Sequence, residues 1–217
     1  MVNQEMYVKV CLDVCCLCRP CDDQNVLTII VHNIEHMFKN MNSLITPTLK
    51  TLTWLGRNYR DSFYVRELAQ KLSISTGAAS SQLRILAESG LVASEQKGRT
   101  LMYRADISHP LVREAKIFRT LSELTPFMAE LREHVTRVIL FGSCSTGEDT
   151  DESDIDLLVE TSDKSALQKI IARYEEELPR KISPIIVSSE ECSQLRTRDR
   201  SLYDRIRAGK TLEGEPL

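Results

Sequence analysis

The chain has 217 residues, with 28 Lys plus Arg against 31 Asp plus Glu, a formal net charge of −3. No run of about 18 apolar residues occurs, which excludes a membrane-spanning helix, and Met1 to Val10 lack the basic-then-apolar order of a secretory signal. A cytoplasmic protein of one large or two small domains is expected.

The charge is unevenly spread. Residues 47–108 hold nine basic and five acidic side chains, whereas 135–217 hold twelve basic and seventeen acidic. A basic segment followed by an acidic one predicts two modules with different partners.

Five of the seven cysteines fall between Cys11 and Cys21. Such clustering excludes a disulfide framework running through the whole chain. Cys11, Cys15, Cys18 and Cys21 have a spacing that can hold zinc or an iron–sulfur cluster. A loose tail of reduced thiols, or an over-extended start with Met37 or Met41 as the true beginning, are the other readings. His32-Asn33-Ile34-Glu35-His36 matches the inverted zinc-protease pattern. No third ligand is near it, and Ile29, Ile30, Ile34, Met37 and Phe38 describe an amphipathic helix instead. Residues 1–43 are therefore set apart as a Cys-rich tail.

From Thr48 the pattern is regular. Leu49, Leu52 and Leu55 predict a helix that ends at Gly56 and Asn58. Phe63-Tyr64-Val65 predicts a short strand. Val65, Leu68, Ala69 and Leu72 give one face of a second helix. Ser75 is a good N-cap for a third helix over 76–88, with Ala79, Leu83 and Leu86 inward and Gly90 at its stop. Strands over 91–95 and 100–104 flank Lys97-Gly98. Three helices and a β-hairpin make a winged helix-turn-helix over 44–108. The run from Val65 to Ser75 and on through Leu83 to Val92 resembles archaeal and bacterial winged-helix regulators of the ArsR/MarR kind. That resemblance implies double-stranded DNA as partner. The outward residues of the third helix would be Ser75, Thr76, Gly77, Ser80, Ser81 and Arg84, with Lys97, Arg99 and Arg104 on the wing. Hydroxyls suit phosphates or bases and Arg suits guanine. The competing reading is a winged helix used only for protein contacts.

Residues 109–134 read as a helical connector. Leu111, Ala115, Phe118 and Leu121 mark one helix, and Pro126 opens a second with Phe127, Glu130 and Leu131. These helices either make a homodimer or simply join the modules.

The second module, 135–217, begins with a strand to Phe141 and turns at Gly142-Ser143. A second strand carries Ile155, Leu157 and Val159. Ala166, Leu167, Ile170, Ile171, Tyr174 and Leu178 give a helix, and 182–187 a third strand, in which Pro184 predicts an edge position. The whole is an α+β protein. Residues i and i+2 of a strand face one way, so Asp154 and Asp156 converge. Two adjacent carboxylates ask for a cation, and Mg²⁺ suits oxygen ligands and phosphate. Glycine lets backbone approach a triphosphate closely, and Ser143 can bond its oxygens. A calcium loop from Asp149 fails, because its sixth position is Asp154 rather than glycine. Cys144 has no His nearby to activate it.

Gly142-Ser143, ten residues, then Asp154-Ile155-Asp156 resembles the motif of polymerase-beta-like minimal nucleotidyltransferases. Phe141, Gly147, Ser153 and Leu157-Leu158-Val159 fit that family. The run Leu202-Tyr203 through Leu212 resembles its closing helix. The resemblance implies Mg²⁺ at Asp154 and Asp156, an NTP such as ATP at Gly142 and Ser143, and transfer of a nucleotide to a hydroxyl. Members of this family that transfer usually add a third carboxylate on the next strand. Here Ser183 and Ile185 hold the candidate positions, with Glu177 and Glu190 flanking. The expected function is a DNA-binding regulator with a Mg-nucleotide-binding domain. The alternative is a transferase modifying a HEPN-type protein partner or a small molecule. A third is an inert adaptor.

Overall fold

The computed structural model describes residues 46–178 and 180–217, apart from the side chains of 175–177. The cysteine cluster and the His32–His36 pattern lie outside the described residues.

Helix α1 (Pro47–Arg57) starts where Thr46 accepts from the Leu49 amide, with Pro47 in the first turn, where no N–H is needed. Strand β1 (Phe63–Tyr64), α2 (Val65–Lys71) and α3 (Thr76–Glu88) follow, and Ser75 caps α3 by accepting from the Ala78 amide at 3.1 Å. Gly90, at φ 72°, turns the chain into β2 (Val92–Lys97), which pairs antiparallel with β3 (Thr100–Ala105). The sheet order is β1-β3-β2. Leu52, Leu55, Leu68, Leu83, Leu86, Val92 and Tyr103 close its core. Buried Thr51 donates to Gln82, tying α1 to α3. These elements form the winged helix expected from the sequence.

The connector differs from expectation. Instead of two helices, one helix, α4 (Pro110–Leu131), runs through Pro126. An interior proline costs about 3 kcal/mol. Leu124, Phe127 and Leu131 are buried around it, and full burial of each such side chain contributes roughly 1.5–3 kcal/mol, so packing wins. Thr125 and Ser122 hydroxyls bond to Leu121 and Phe118 carbonyls along the same stretch. Val112 near the start of α4 belongs to the winged-helix core, while Leu124, Phe127 and Leu131 belong to the second core. One continuous helix therefore contributes to both cores.

The second sheet has the order β6-β5-β4-β7, from β4 (Arg137–Phe141), β5 (Ile155–Glu160), β6 (Ile182–Val187) and β7 (Lys210–Glu213). β5 is antiparallel to β4 and parallel to β6, and β6 is an edge, as Pro184 requires. One face packs Val138, Leu140, Ile155, Leu157 and Val159 against α4 and α6 (Lys164–Glu177). The other packs Ile139, Phe141 and Leu158 against α7 (Ser189–Arg198) and α8 (Arg200–Arg207). The expected closing helix stops at Arg207. Gly209 then lies so near the Leu140 carbonyl that any Cβ would strike it, and the chain enters the sheet as β7.

Candidate functional site

The register of β4 and β5 brings Phe141 opposite Asp156, so the Gly142-Ser143 turn sits beside the acidic pair. Gly142 has φ 69° and ψ −159°, and a Cβ there would run into Oδ2 of Asp156. Glycine is thus needed twice over, for conformation and for space. Ser143 opens the four-residue helix α5 (Ser143–Thr146) and is half-buried. Cys144 is buried, its thiol donating to the Asp154 carbonyl at 3.3 Å, which ties the two halves of the motif together. Burial raises the Cys144 thiol above its ordinary value, which suits a structural group rather than a nucleophile.

Asp154 is exposed and Asp156 half-buried. Burial first, then the charge of Asp154, raises the Asp156 carboxyl above its usual range, against the pull of Arg205. This mutual repulsion marks a place where a cation is favourable. Ser183 pairs in register with Asp156, and Ile185 with Leu158 one step deeper. Strands lie about 4.8 Å apart, so Ser183 is the neighbour of Asp156 on the next strand, and it is not acidic. Glu190 cannot replace it. It lies in α7 beyond the far end of β6, where its carboxylate accepts from Gln194. From Ser183 to Val187 alone the strand rises about 13 Å. The Glu177 side chain is outside the described residues. Among the described residues no three His, Cys, Asp or Glu gather as a metal cage. Two carboxylates alone fit Mg²⁺ that arrives with phosphate oxygens and keeps its waters.

Sequence reasoning missed a buried charge cluster behind this site. Asp149, which headed the rejected calcium loop, is fully buried. It accepts from Arg180 at 2.9 Å, and Arg57 and Lys116 lie at 3.4 and 3.5 Å. Glu123 accepts from both ends of the Arg57 guanidinium, at 3.0 and 2.9 Å. One signal was present. Lys116, Thr120 and Glu123 share the helical face of Val112 and Phe127, where polar residues need buried partners.

On the winged helix, Ser75, Thr76, Gly77, Ser80, Ser81 and Arg84 are all exposed at the start and outer face of α3. Lys97, Arg99 and Arg104 are exposed on the hairpin. Ile85 stands exposed beside Arg84, an apolar member of this surface that the sequence pattern did not single out.

Among the described residues, no helix is long and apolar enough to cross a membrane. No curated protein matches the chain. Among solved structures, MepR, a transcription regulator of a Staphylococcus aureus multidrug efflux pump, is 16% identical over 51% of this chain and 83% of its own, with a TM-score of 0.36. The transcriptional repressor BigR from Xylella fastidiosa is 29% identical over 43% of this chain and 94% of its own, with a TM-score of 0.27. A MarR family protein from Bacillus stearothermophilus is 18% identical over 61% and 95%, with a TM-score of 0.29. Residues 121–207 match the family described as nucleotidyltransferase domain. The chain joins the winged helix described above to a segment, residues 121–207, that matches the nucleotidyltransferase domain family.

Proposed function

We propose that the protein is a cytoplasmic DNA-binding regulator whose nucleotidyltransferase-fold domain binds an NTP, ATP in the first instance, with Mg²⁺ and does not transfer it. The observation that carries this reading is the closeness of Gly142 to Asp156, with Ser183 beside them. Backbone fitted tightly to a carboxylate pair supports a place for phosphate and cation, with Gly142 and Ser143 toward the phosphates and Asp154 and Asp156 toward the metal. The serine argues against the alternative, nucleotide transfer to a HEPN-type protein or a small molecule. The exposed, partly basic surface of α3 and the hairpin supports binding to double-stranded DNA. Leu111 and Phe118, both exposed and two turns apart on α4, support a homodimer.

The nucleotide half is tested by thermal melting. Mg-ATP should raise the Tm, because a ligand of the native state stabilises it by mass action. Asp154→Ala and Asp156→Ala should each abolish the rise while leaving the apo proteins no less stable. The sign follows from the Asp156 carboxyl. Its folded value is raised, so its favourable contribution is present at acid pH and is lost as pH rises through that value. At neutral pH the ionised pair is a penalty, and truncation relieves it. The Mg-ATP effect should fade as pH drops through a range above that of an ordinary aspartate. A Tm unmoved by millimolar Mg-ATP would sink the nucleotide site.

The DNA half is tested by fluorescence anisotropy. Affinity for duplex should fall steeply with salt, and Lys97→Ala with Arg99→Ala should weaken binding to all sequences alike and flatten the salt slope by about 2. Salt-independent binding, or none, would end the regulator reading.

A further inference from the structure

The segment between Gly142 and Asp156 carries the two halves of the candidate nucleotide site at its two ends. Its middle does not face solvent alone. Gly147, at φ 72°, is pressed on the backbone of Arg113 in α4, so closely that a Cβ would collide with it. The Asp149 carbonyl accepts from the buried ammonium of Lys116, and its carboxylate lies against Arg57 of the winged helix. Asn58, the residue that ends α1, donates its side-chain amide to Asp151 at 2.6 Å. Arg180, one residue before Lys181, binds Asp149, Thr120 and Glu123, and its Nη1 lies 3.4 Å from the Cys144 thiol. The Lys181 carbonyl in turn accepts from Ile155, between the two aspartates. Both ends of the site therefore lead to Arg180, and buried Asp149 joins Arg180 to Arg57 in the first helix of the winged helix.

We infer that the Arg57–Asp149–Arg180 cluster couples the two modules, so that occupancy of the nucleotide site changes the affinity of the winged helix for DNA. The inference rests on the nucleotide and DNA reading above and adds its regulation. A cation and triphosphate drawn between Gly142 and Asp156 remove the repulsion of the aspartates and reset the ends of a segment whose middle is clamped. Packed interiors deform little, so a shift at the ends is passed to the clamp rather than absorbed. The clamp includes Arg57 and Asn58, which end α1, and α1 packs on α3 through Thr51 and Gln82. Coupling between two binding sites is reciprocal.

The test uses the full chain, Mg-ATP and a mixed-sequence duplex at low salt. Mg-ATP should shift the duplex midpoint by about fivefold or more, and saturating duplex should shift the Mg-ATP midpoint by the same factor. Arg57→Gln should keep both binding events and bring the shift close to one. Asn58→Ala, at an exposed contact, should lower it partway and carries the test if Arg57→Gln does not fold. If both ligands bind and neither moves the other, the coupling is wrong while the nucleotide reading stands. A shift that persists undiminished in both variants overturns the route through the cluster. If Mg-ATP fails to bind wild type, the parent reading fails and takes the coupling with it.

Discussion

Asp149→Ala should destabilise the protein by about 3–5 kcal/mol, the loss expected when one partner of a buried ion cluster is removed. For a chain of this size that is a Tm drop of roughly 6–20 °C. The cluster contains three buried cations, Arg57, Lys116 and Arg180, against two carboxylates, Asp149 and Glu123. Removing an anion worsens that imbalance. Removing a cation improves it, so Lys116→Met, with a stem of similar length, should cost within about 1 kcal/mol. Urea denaturation of the two variants checks the asymmetry, and equal losses would refute it. The pH dependence gives a second sign. Burial holds the Lys116 ammonium below its ordinary value of 10.5, against the opposing pull of Asp149. A lysine depressed in the folded state contributes stability that is present above the unfolded value and lost as pH falls through the folded one. Wild type should therefore gain on Lys116→Met as pH climbs between those two values.

Ser183→Asp should turn the proposed nucleotide site into a slow transferase. The serine is the register partner of Asp156 on the edge strand, half-buried on the same face as the acidic pair. An aspartate there sets a third carboxylate within reach of the metal ligands and of an incoming hydroxyl. A positioned general base contributes about 10²–10⁴-fold, so a rate below detection should become measurable. Labelled ATP incubated with wild type or Ser183→Asp and with candidate hydroxyl acceptors reads this out as labelled acceptor and equimolar pyrophosphate. Rapid release by wild type would show that it is already a transferase. In that case the missing acid would have to come from elsewhere.

Much of this architecture was legible in local signals. The third helix, its Ser75 cap and Gly90 stop were fixed by residue types that act within one turn, and the structure reproduces the helix over the expected residues. Pro184 announced an edge, whereas the strand expected to carry both aspartates begins at Ile155, so Asp154 stands just before it, still near enough for its charge to raise the Asp156 carboxyl. The misses are non-local. Pro126 reads as a helix start by propensity, and only the burial of Leu124, Phe127 and Leu131 in a core built from distant strands carries α4 through it. Strand β7 follows a glycine whose close approach to Leu140 no local pattern reveals. Helix α7 was missed although Ser188 and Glu191 form a capping box, a signal present in the sequence and not used. The Asp149 cluster joins α1, α4, the segment before β5 and the one before β6. Its members are between seven and 123 residues apart, so only the fold assembles them.

Gly142, Ser143, Asp154 and Asp156 are proposed to hold a Mg-nucleotide. Calorimetric titration of ATP into the full chain, with and without Mg²⁺, tests it most directly. One site per chain is expected with Mg²⁺, much weaker binding without it, and none in Asp156→Ala. Binding that is indifferent to Mg²⁺ and to Asp156, or no binding at all, would rule out a Mg-nucleotide site there.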